Sequence, residues 1–231
     1  MRKTIKTLLL TLLAAGVMAA VPVSFETHKG NSLASILKVE AKKKKKKTIA
    51  PIQLAGSGAI ATQTFALQKG VSIFEISHTG DSNFVVELLK SNGEWVDMPV
   101  NQIGNYSGKK AIGIDKSGKY LLNIEADGNW TVNITQPRPS SGVKKPITFT
   151  GTGDDVPQSL YFKKKGLARF NMSHTGESNF AIWLYDKNGK YIDLLANEIG
   201  NYNGSKAVRI PKKGVYLLDI TADGNWSVSV N

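Results

Sequence analysis

The sequence contains no cysteine in its 231 residues. This absence excludes disulfide bonds, thiolate ligands for a metal, a cysteine nucleophile and a lipid-modified cysteine anchor. A sustained helical period of apolar residues is also missing. A folded unit of this chain must therefore be stabilised by burial alone, which requires enough residues to build a core.

Acidic residues are scarce, since 30 Lys and Arg stand against 18 Asp and Glu and give a net charge of +12. The excess is concentrated in the first 47 residues, where 11 basic residues accompany 2 acidic ones. The remainder has 19 basic and 16 acidic residues and is only mildly basic. Because a nucleic-acid-binding domain carries its basic residues on the folded surface that meets phosphate, we expect no nucleic-acid partner.

Residues 1–41 have the pattern of a secretory signal peptide and leader. A basic tip precedes an apolar stretch from about residue 7 to residue 25, and small residues allow cleavage after Ala19 or after Ala41. The basic tip consists of Arg2, Lys3 and Lys6. The sequence therefore predicts a secreted protein. The alternative is that the segment is not cleaved, in which case it alone would anchor the protein in the membrane.

Residues 42–51 form a lysine-rich linker that opens with six consecutive lysines. These are Lys42, Lys43, Lys44, Lys45, Lys46 and Lys47. One interpretation is a solvated spacer, and the other is a polyanion tether that attracts wall-polymer phosphates or anionic lipid head groups. The tether predicts retention of the secreted protein at the cell wall.

Two copies of one unit make up the rest of the chain. With an offset of 96 residues, segment 78–130 matches segment 174–226 without a gap, with 30 identities in 53 positions. Further upstream the offset is 95, so the second copy has one extra residue there. We assign residues 52–135 to the first repeat, 136–146 to a Pro- and Ser-rich linker and 147–231 to the second repeat.

Apolar residues alternate within each repeat, as in Phe180, Ile182 and Leu184. Asn92-Gly93 and Asn188-Gly189 are strong hairpin signals at equivalent positions. Further strands are predicted at 61–67, 71–77, 110–115, 119–125 and 130–135, with counterparts in the second copy. Seven or eight short strands per repeat predict an all-β fold of two tandem β-sandwich (jelly-roll-like) units.

The segments NFAIWLYDKNGKYI, KAVRIPKKGVYLLDI and the closing WSVSV resemble the bacterial pre-peptidase C-terminal (PPC-like) sandwiches of secreted Gram-positive proteins. The resemblance implies an extracellular, non-catalytic module that accompanies enzymes or serves surface attachment. SHTG and ADGNW depart from the usual pattern of those domains, and no functional residue is carried over.

The duplicated stretch SHTGDSNF places Ser77, His78 and Asp81 within five positions. These are the residue types of a hydrolytic triad, but so short a segment rarely reaches the converging geometry that a triad needs. We interpret the stretch as a turn between two strands, in which Asp and Ser bond nearby backbone amides. Whether His78 and its counterpart His174 bond this turn or face solvent is left open by the sequence.

Oxygen donors gather at the predicted turns, and calcium is the metal that they would suit. In the first repeat they are Asp81, Asn83, Asp97, Asn101, Asn105 and Asp127. The same side chains occur in turns that hold no metal, and no cofactor is assigned. Trp130 and Trp226 are interpreted as core residues, with a sugar-stacking platform as the alternative.

Trp183 and Tyr185 alternate with the core residues of their strand and point away from the core, where the first repeat has Glu87 and Leu89. The pair is the candidate ligand-binding site: it either stacks a carbohydrate ring or packs against the first repeat. We expect a non-enzymatic binding protein for cell-wall polymer or polysaccharide. The alternatives are a structural or protein-binding surface component and, less favoured, a secreted hydrolase.

Overall fold

The computed structural model of the protein describes residues 49–231. The signal peptide and the lysine run Lys42–Lys47 lie outside the described residues. No helix in the described part of the chain is long and apolar enough to cross a membrane.

The first repeat contains nine strands. They are β1 (Ile52–Ser57), β2 (Ile60–Ala61), β3 (Phe65–Leu67), β4 (Gly70–Thr79), β5 (Asn83–Lys90), β6 (Trp95–Ile103), β7 (Tyr106–Ile114), β8 (Gly118–Glu125) and β9 (Asn129–Thr135). One sheet has the order β1-β9-β4-β7, and the other has the order β2-β8-β5-β6 with β3 also paired to β8. All of these pairings are antiparallel.

The second repeat contains eight strands. They are β10 (Ile147–Thr152), β11 (Leu160–Phe162), β12 (Gly166–Thr175), β13 (Asn179–Asp186), β14 (Tyr191–Ile199), β15 (Tyr202–Ile210), β16 (Gly214–Thr221) and β17 (Asn225–Val230). Its sheets, β10-β17-β12-β15 and β11-β16-β13-β14, follow the order of the first repeat. The predicted all-β architecture of two tandem sandwiches is confirmed.

The cores lie between the two sheets of each repeat, as the period-two alternation predicts. In β5, Phe84, Val86 and Leu88 are fully buried and the intervening residues are not. In β13, Phe180, Ile182 and Leu184 take the same positions. Each repeat thus builds its own apolar core.

One predicted strand is interrupted. Segment 61–67 is divided into β2 and β3 because the Thr62 side chain enters the hydrogen-bond ladder. The Thr62 hydroxyl accepts the amide of Leu122 at 3.0 Å, while the Thr62 amide donates to the Leu122 carbonyl at 2.8 Å. A side-chain acceptor in place of a backbone carbonyl breaks the regular strand at this residue.

Trp130 and Trp226 are core residues, as predicted, and each residue is 3% exposed. Each indole lies directly over a glycine of the first strand of its repeat. A Cβ on Gly56 would lie 2.4 Å from the Trp130 ring, and one on Gly151 would lie 2.3 Å from the Trp226 ring. The Trp130 Nε1 also donates to the Gly58 carbonyl at 3.1 Å. The segments GSG (56–58) and GTG (151–153) therefore provide the surface on which the two tryptophans pack.

We expect Gly56→Ala to lower the free energy of unfolding by about 1–3 kcal/mol, because the added methyl group must displace the indole. Denaturant unfolding measures the effect. Gly118→Ala is the matched control, since a Cβ there lies at an ordinary 3.7 Å from its nearest neighbour. Equal stability of the two variants would contradict the packing of Trp130 over Gly56.

Candidate functional site

The histidine of the SHTG motif is a buried structural residue. The His78 Nδ1 lies 2.8 Å from the Gly104 carbonyl oxygen, and its Nε2 lies 3.3 Å from Asp127 Oδ1. The imidazole is fully buried and stacks on Phe84 with ring centroids 4.3 Å apart. His78 therefore does not face solvent, and its ring bonds two neighbouring turns, at Gly104 and at Asp127, and not the turn that follows it in the sequence.

The second repeat reproduces this arrangement. The His174 Nδ1 lies 2.7 Å from the Gly200 carbonyl and its Nε2 lies 3.1 Å from Asp223 Oδ1, while the ring stacks on Phe180. Three duplicated motifs thus meet at one point in each sandwich: SHTG (77–80 and 173–176), IGNY (103–106 and 199–202) and ADGNW (126–130 and 222–226). Duplication of the fold explains their recurrence.

The bonding partners of His78 define its proton positions. A carbonyl oxygen only accepts, so the Nδ1 that faces Gly104 carries a proton. The Nε2 lies at ion-pair distance from the Asp127 carboxylate without the alignment of a hydrogen bond. The Gly104 carbonyl therefore fixes the proton on Nδ1, and Nε2 faces the Asp127 carboxylate.

The Asp127 carboxylate also closes the turn. Its Oδ2 accepts the backbone amides of Asp81 at 2.9 Å and Ser82 at 3.0 Å. These bonds hold the pKa of Asp127 below its ordinary value of 3.8, and the bond from the Asp81 amide has the largest effect. The neighbouring His78 lowers the pKa further. Asn105 caps a further turn amide, that of Gly80, at 3.2 Å. Two of the oxygen donors considered for calcium are thus engaged with backbone amides.

Residues 49–231 hold no group of three or more His, Cys, Asp or Glu side chains placed to bind a metal ion.

The lowered pKa values of Asp127 and Asp223 make the stability of the fold depend on pH. The ionised Asp127 and Asp223 contribute stability that is fully present above about pH 4 and is lost as the pH falls through their lower folded-state pKa. We expect the Asp127→Asn/Asp223→Asn variant to be less stable than the native protein at pH 7 and to lose less stability below pH 4. Urea unfolding between pH 2 and pH 7 measures this.

Asp81→Asn is the control, because the backbone amide of Asp81 is the group that bonds in this turn. Parallel stability curves of the native protein and the double variant would contradict the role of these carboxylates.

Trp183 and Tyr185 lie in a cleft between the two repeats. The cleft has a volume of about 370 Å³ and is formed by β6 and β7 of the first repeat and β13 and β16 of the second. Both side chains are half-buried, and the Tyr185 ring meets Tyr191 edge-on with ring centroids 6.4 Å apart. Burial also raises the pKa of Tyr185. The structure therefore brings the predicted pair against the first repeat while leaving a cavity beside it.

A buried lysine of the first repeat is the centre of this junction. The Lys110 Nζ lies 3.7 Å from Asp219 Oδ2 and 3.9 Å from Asp154 Oδ2, both carboxylates of the second repeat. It donates to the Thr221 hydroxyl and lies 5.4 Å above the centroid of the Trp183 ring. A cation over an indole is attracted to the ring face, so Lys110 also orients Trp183.

The two carboxylates have further bonds across the junction. Asp219 Oδ1 accepts the Ala111 amide at 3.1 Å, and Asp154 Oδ2 accepts the Tyr106 hydroxyl at 2.8 Å. Burial raises the pKa of Asp219 to about 6, against the lowering effect of Lys110. Burial and the Asp154 charge raise the pKa of the Tyr106 hydroxyl, which stays a neutral donor. Polar groups of both repeats thus satisfy one another inside the junction.

Apolar contacts complete the junction. Val71 and Ala111 of the first repeat form one buried cluster with Val156 and Leu217 of the second. The hairpin at Gly189 approaches so closely that a Cβ on Gly113 would lie 2.1 Å from the Gly189 carbonyl oxygen. Gly113 is therefore required by the contact between repeats.

The equivalent lysine of the second repeat behaves differently. Lys206 occupies the repeat position of Lys110 but bonds within its own repeat, to Asp193 at 2.9 Å and to the Leu194 carbonyl. The first repeat has Asp97 at the position of Asp193. Lys110 nevertheless bonds across the junction, to Thr221 of the second repeat. A lysine at the same repeat position thus bonds within the second repeat in one copy and across the junction in the other.

Sequence reasoning missed Lys110, Asp154 and Asp219 as members of the site. A signal was present for one of them in the repeat alignment, where Asp219 stands opposite Asn123. Trp183 likewise stands opposite Glu87 and Thr221 opposite Glu125. When several outward-facing positions differ in side-chain chemistry between the two copies, the surface that they form is expected to make contacts in only one of the copies.

Replacement of the junction lysine tests its role. We expect Lys110→Met to lower the free energy of unfolding by about 3–5 kcal/mol, because two buried carboxylates would lose their counter-charge. Lys206→Met is the matched control from the other repeat. Its ion pair with Asp193 is 40% and 31% exposed at the two side chains, so we expect a loss of about 1 kcal/mol or less. Denaturant unfolding of both variants measures the difference, and equal losses would contradict it.

No family model and no curated protein matches the chain. Among solved structures, the chain is similar to the N-terminal CBM22-1-CBM22-2 tandem domain of Xyn10C from Paenibacillus barcinonensis. That match has 9% identity, covers 80% of this chain and 94% of that one, and has a TM-score of 0.24. A fucolectin from striped bass (Morone saxatilis) serum is 9% identical over 77% of this chain and 83% of its own, with a TM-score of 0.22.

The structure of the Gx strain of infectious bursal disease virus is 8% identical over 80% of this chain and 72% of its own, with a TM-score of 0.24. At TM-scores of this size, the tandem-sandwich architecture rests on the strand order of the chain itself.

Proposed function

We propose that this chain is a secreted, non-enzymatic binding protein that holds a sugar unit of a cell-wall polymer or polysaccharide in the cleft between its repeats. The observation that carries the proposal is the composition of the cleft, where Trp183 and Tyr185 lie beside polar side chains of both repeats. The export signal and the lysine run before the first repeat support secretion and retention at the wall.

The side chains of the cleft match the chemistry of a sugar. Aromatic rings offer apolar surface for the C–H face of a pyranose, and amides and carboxylates bond its hydroxyl groups. Asn101 and Gln102 of the first repeat and Asn179 of the second are exposed and line the same cavity. A volume of about 370 Å³ lies within the range of small-molecule sites.

The junction makes this cleft a preformed site. Lys110 and its carboxylate partners hold the two repeats together. The residues that line the cleft are therefore in place before a ligand binds. A preorganised site binds more tightly than one that must be assembled on binding. Two repeats thus form one site between them in this proposal.

A protein-binding surface component is the second candidate. Ile103 and Ile199 occupy the same position in the two repeats, and each is 77% exposed. Trp95 and Tyr191 are likewise equivalent and exposed. Repeated apolar side chains at the surface are typical of protein contacts.

Variants of the cleft rim separate the two candidates. We expect Asn101→Ala/Gln102→Ala to weaken polysaccharide binding about tenfold, since two hydrogen bonds to the sugar are lost, with no change in melting temperature. Trp183→Phe, which keeps a ring beneath Lys110, should weaken binding through the smaller stacking area. Calorimetric titration with a panel of polysaccharides and cell-wall fragments, with and without calcium, measures binding.

Trp95→Ala is the control, because it removes an exposed aromatic residue outside the cleft. Undiminished binding in both cleft variants would overturn the cleft as the site. Absence of polysaccharide binding by the native protein, together with a protein partner whose binding is lost only in an Ile103→Ser/Ile199→Ser variant, would establish the second candidate in its place.

A further inference from the structure

A second cavity, distinct from the cleft, lies between the linker and the second repeat. It has a volume of about 510 Å³, and five lysines line it: Lys144, Lys145, Lys163, Lys164 and Lys165. No carboxylate lines the cavity. We call it the lysine pocket.

The linker backbone brings the two groups of lysines together. Val143 forms a parallel bridge to Leu160, in which its amide donates to the Ser159 carbonyl at 2.8 Å and its carbonyl accepts the Tyr161 amide at 2.7 Å. This pairing fixes the linker beside β11. The linker lysines therefore face the lysines of the β11–β12 turn.

The charges of the pocket are uncompensated. None of its five lysines forms an ion pair with a carboxylate of residues 49–231, whereas Lys110, Lys206 and Lys212 each do. Ammonium groups that share a concave surface repel one another and raise the local concentration of anions. Binding of a polyanion would relieve this repulsion.

The corresponding corner of the first repeat is occupied by an arginine side chain. The turn from β3 to β4 covers only residues 68–69, whereas the turn from β11 to β12 covers residues 163–165. The Arg138 guanidinium donates to the carbonyl oxygens of Gln68, Lys69 and Val71 at this corner. The extra residue of the second copy therefore lies in the lysine turn, where it adds a cation.

We infer that the lysine pocket binds a phosphodiester polymer whose phosphates are joined by polyol or sugar units. Lysine ammonium groups act as point charges that suit phosphate oxygens. Tyr161 and Leu167, the latter 71% exposed, add apolar surface against which the carbon chain of the linking unit can pack. The small excess of basic residues outside the leader disfavours a nucleic-acid duplex, which needs a wide basic face.

This inference does not depend on sugar binding in the cleft. It implies that the folded domain binds cell-wall polymer through the lysine pocket, in addition to the lysine run of the leader. Its test uses chains with and without Lys42–Lys47, so that the leader does not mask the pocket. The probes are poly(glycerol phosphate), inorganic phosphate, a single-stranded oligonucleotide and phosphatidylglycerol vesicles.

We expect Lys163→Gln/Lys164→Gln/Lys165→Gln to weaken binding of poly(glycerol phosphate) at least tenfold at low salt, measured by calorimetric titration. Its binding of neutral polysaccharide should not change. The control Lys116→Gln/Lys119→Gln/Lys187→Gln removes three exposed lysines elsewhere and has the same net charge. We expect the control to bind the polymer within twofold of the native protein.

Equal weakening in the two triple variants would show a response to net charge only and would overturn the lysine pocket. Native binding in the Lys163–Lys165 variant would overturn it as well. Tighter binding of the oligonucleotide or the vesicles than of poly(glycerol phosphate), lost in the same variant, would overturn the assigned ligand class.

Discussion

The ammonium group of Lys110 lies between Asp154 and Asp219 with little access to water, and this pairing joins the first repeat to the second. Each buried charge requires its partner, since an unpaired charge in the junction costs several kcal/mol. The position of Trp183, the walls of the cleft and the contact of Gly113 with the neighbouring hairpin all depend on this arrangement. In our proposal the two sandwiches therefore form one binding unit.

Inside each sandwich, the duplicated motifs serve the same structural purpose twice. His78 and His174 are enclosed imidazoles that tie three turns together, and the two tryptophans rest on glycines of the first strand. These residues recur because each copy of the fold needs them. The SHTG motif has the residue types of a hydrolytic centre, but its histidine is closed off from solvent by the turn that it holds.

The differences between the copies that concern the candidate sites lie on their outer surfaces. The face of the second repeat that carries Trp183 and Asp219 meets the first repeat, whereas the corresponding face of the first carries Glu87 and Asn123. The lysine turn of the second repeat has no counterpart at the corner filled by Arg138. Both candidate sites thus lie where the two copies differ, and we propose different ligands for them: neutral sugar for the cleft and phosphate for the lysine pocket.

The sequence by itself determined the two-repeat all-β architecture, because local signals carry it. The period-two alternation, the Asn-Gly hairpins and the 96-residue offset depend only on neighbouring residues and on self-comparison. It also determined that Trp183 points away from its core.

Only the tertiary structure decided what Trp183 meets. Lys110 and Lys206 occupy the same repeat position, so no local pattern distinguishes the lysine that crosses to the other repeat from the lysine that does not. The docking of the repeats decides this, because it buries Asp154 and Asp219 where one ammonium group can reach both. The lysine pocket likewise required the pairing of Val143 with β11, a contact between a linker and a strand that neither segment encodes alone.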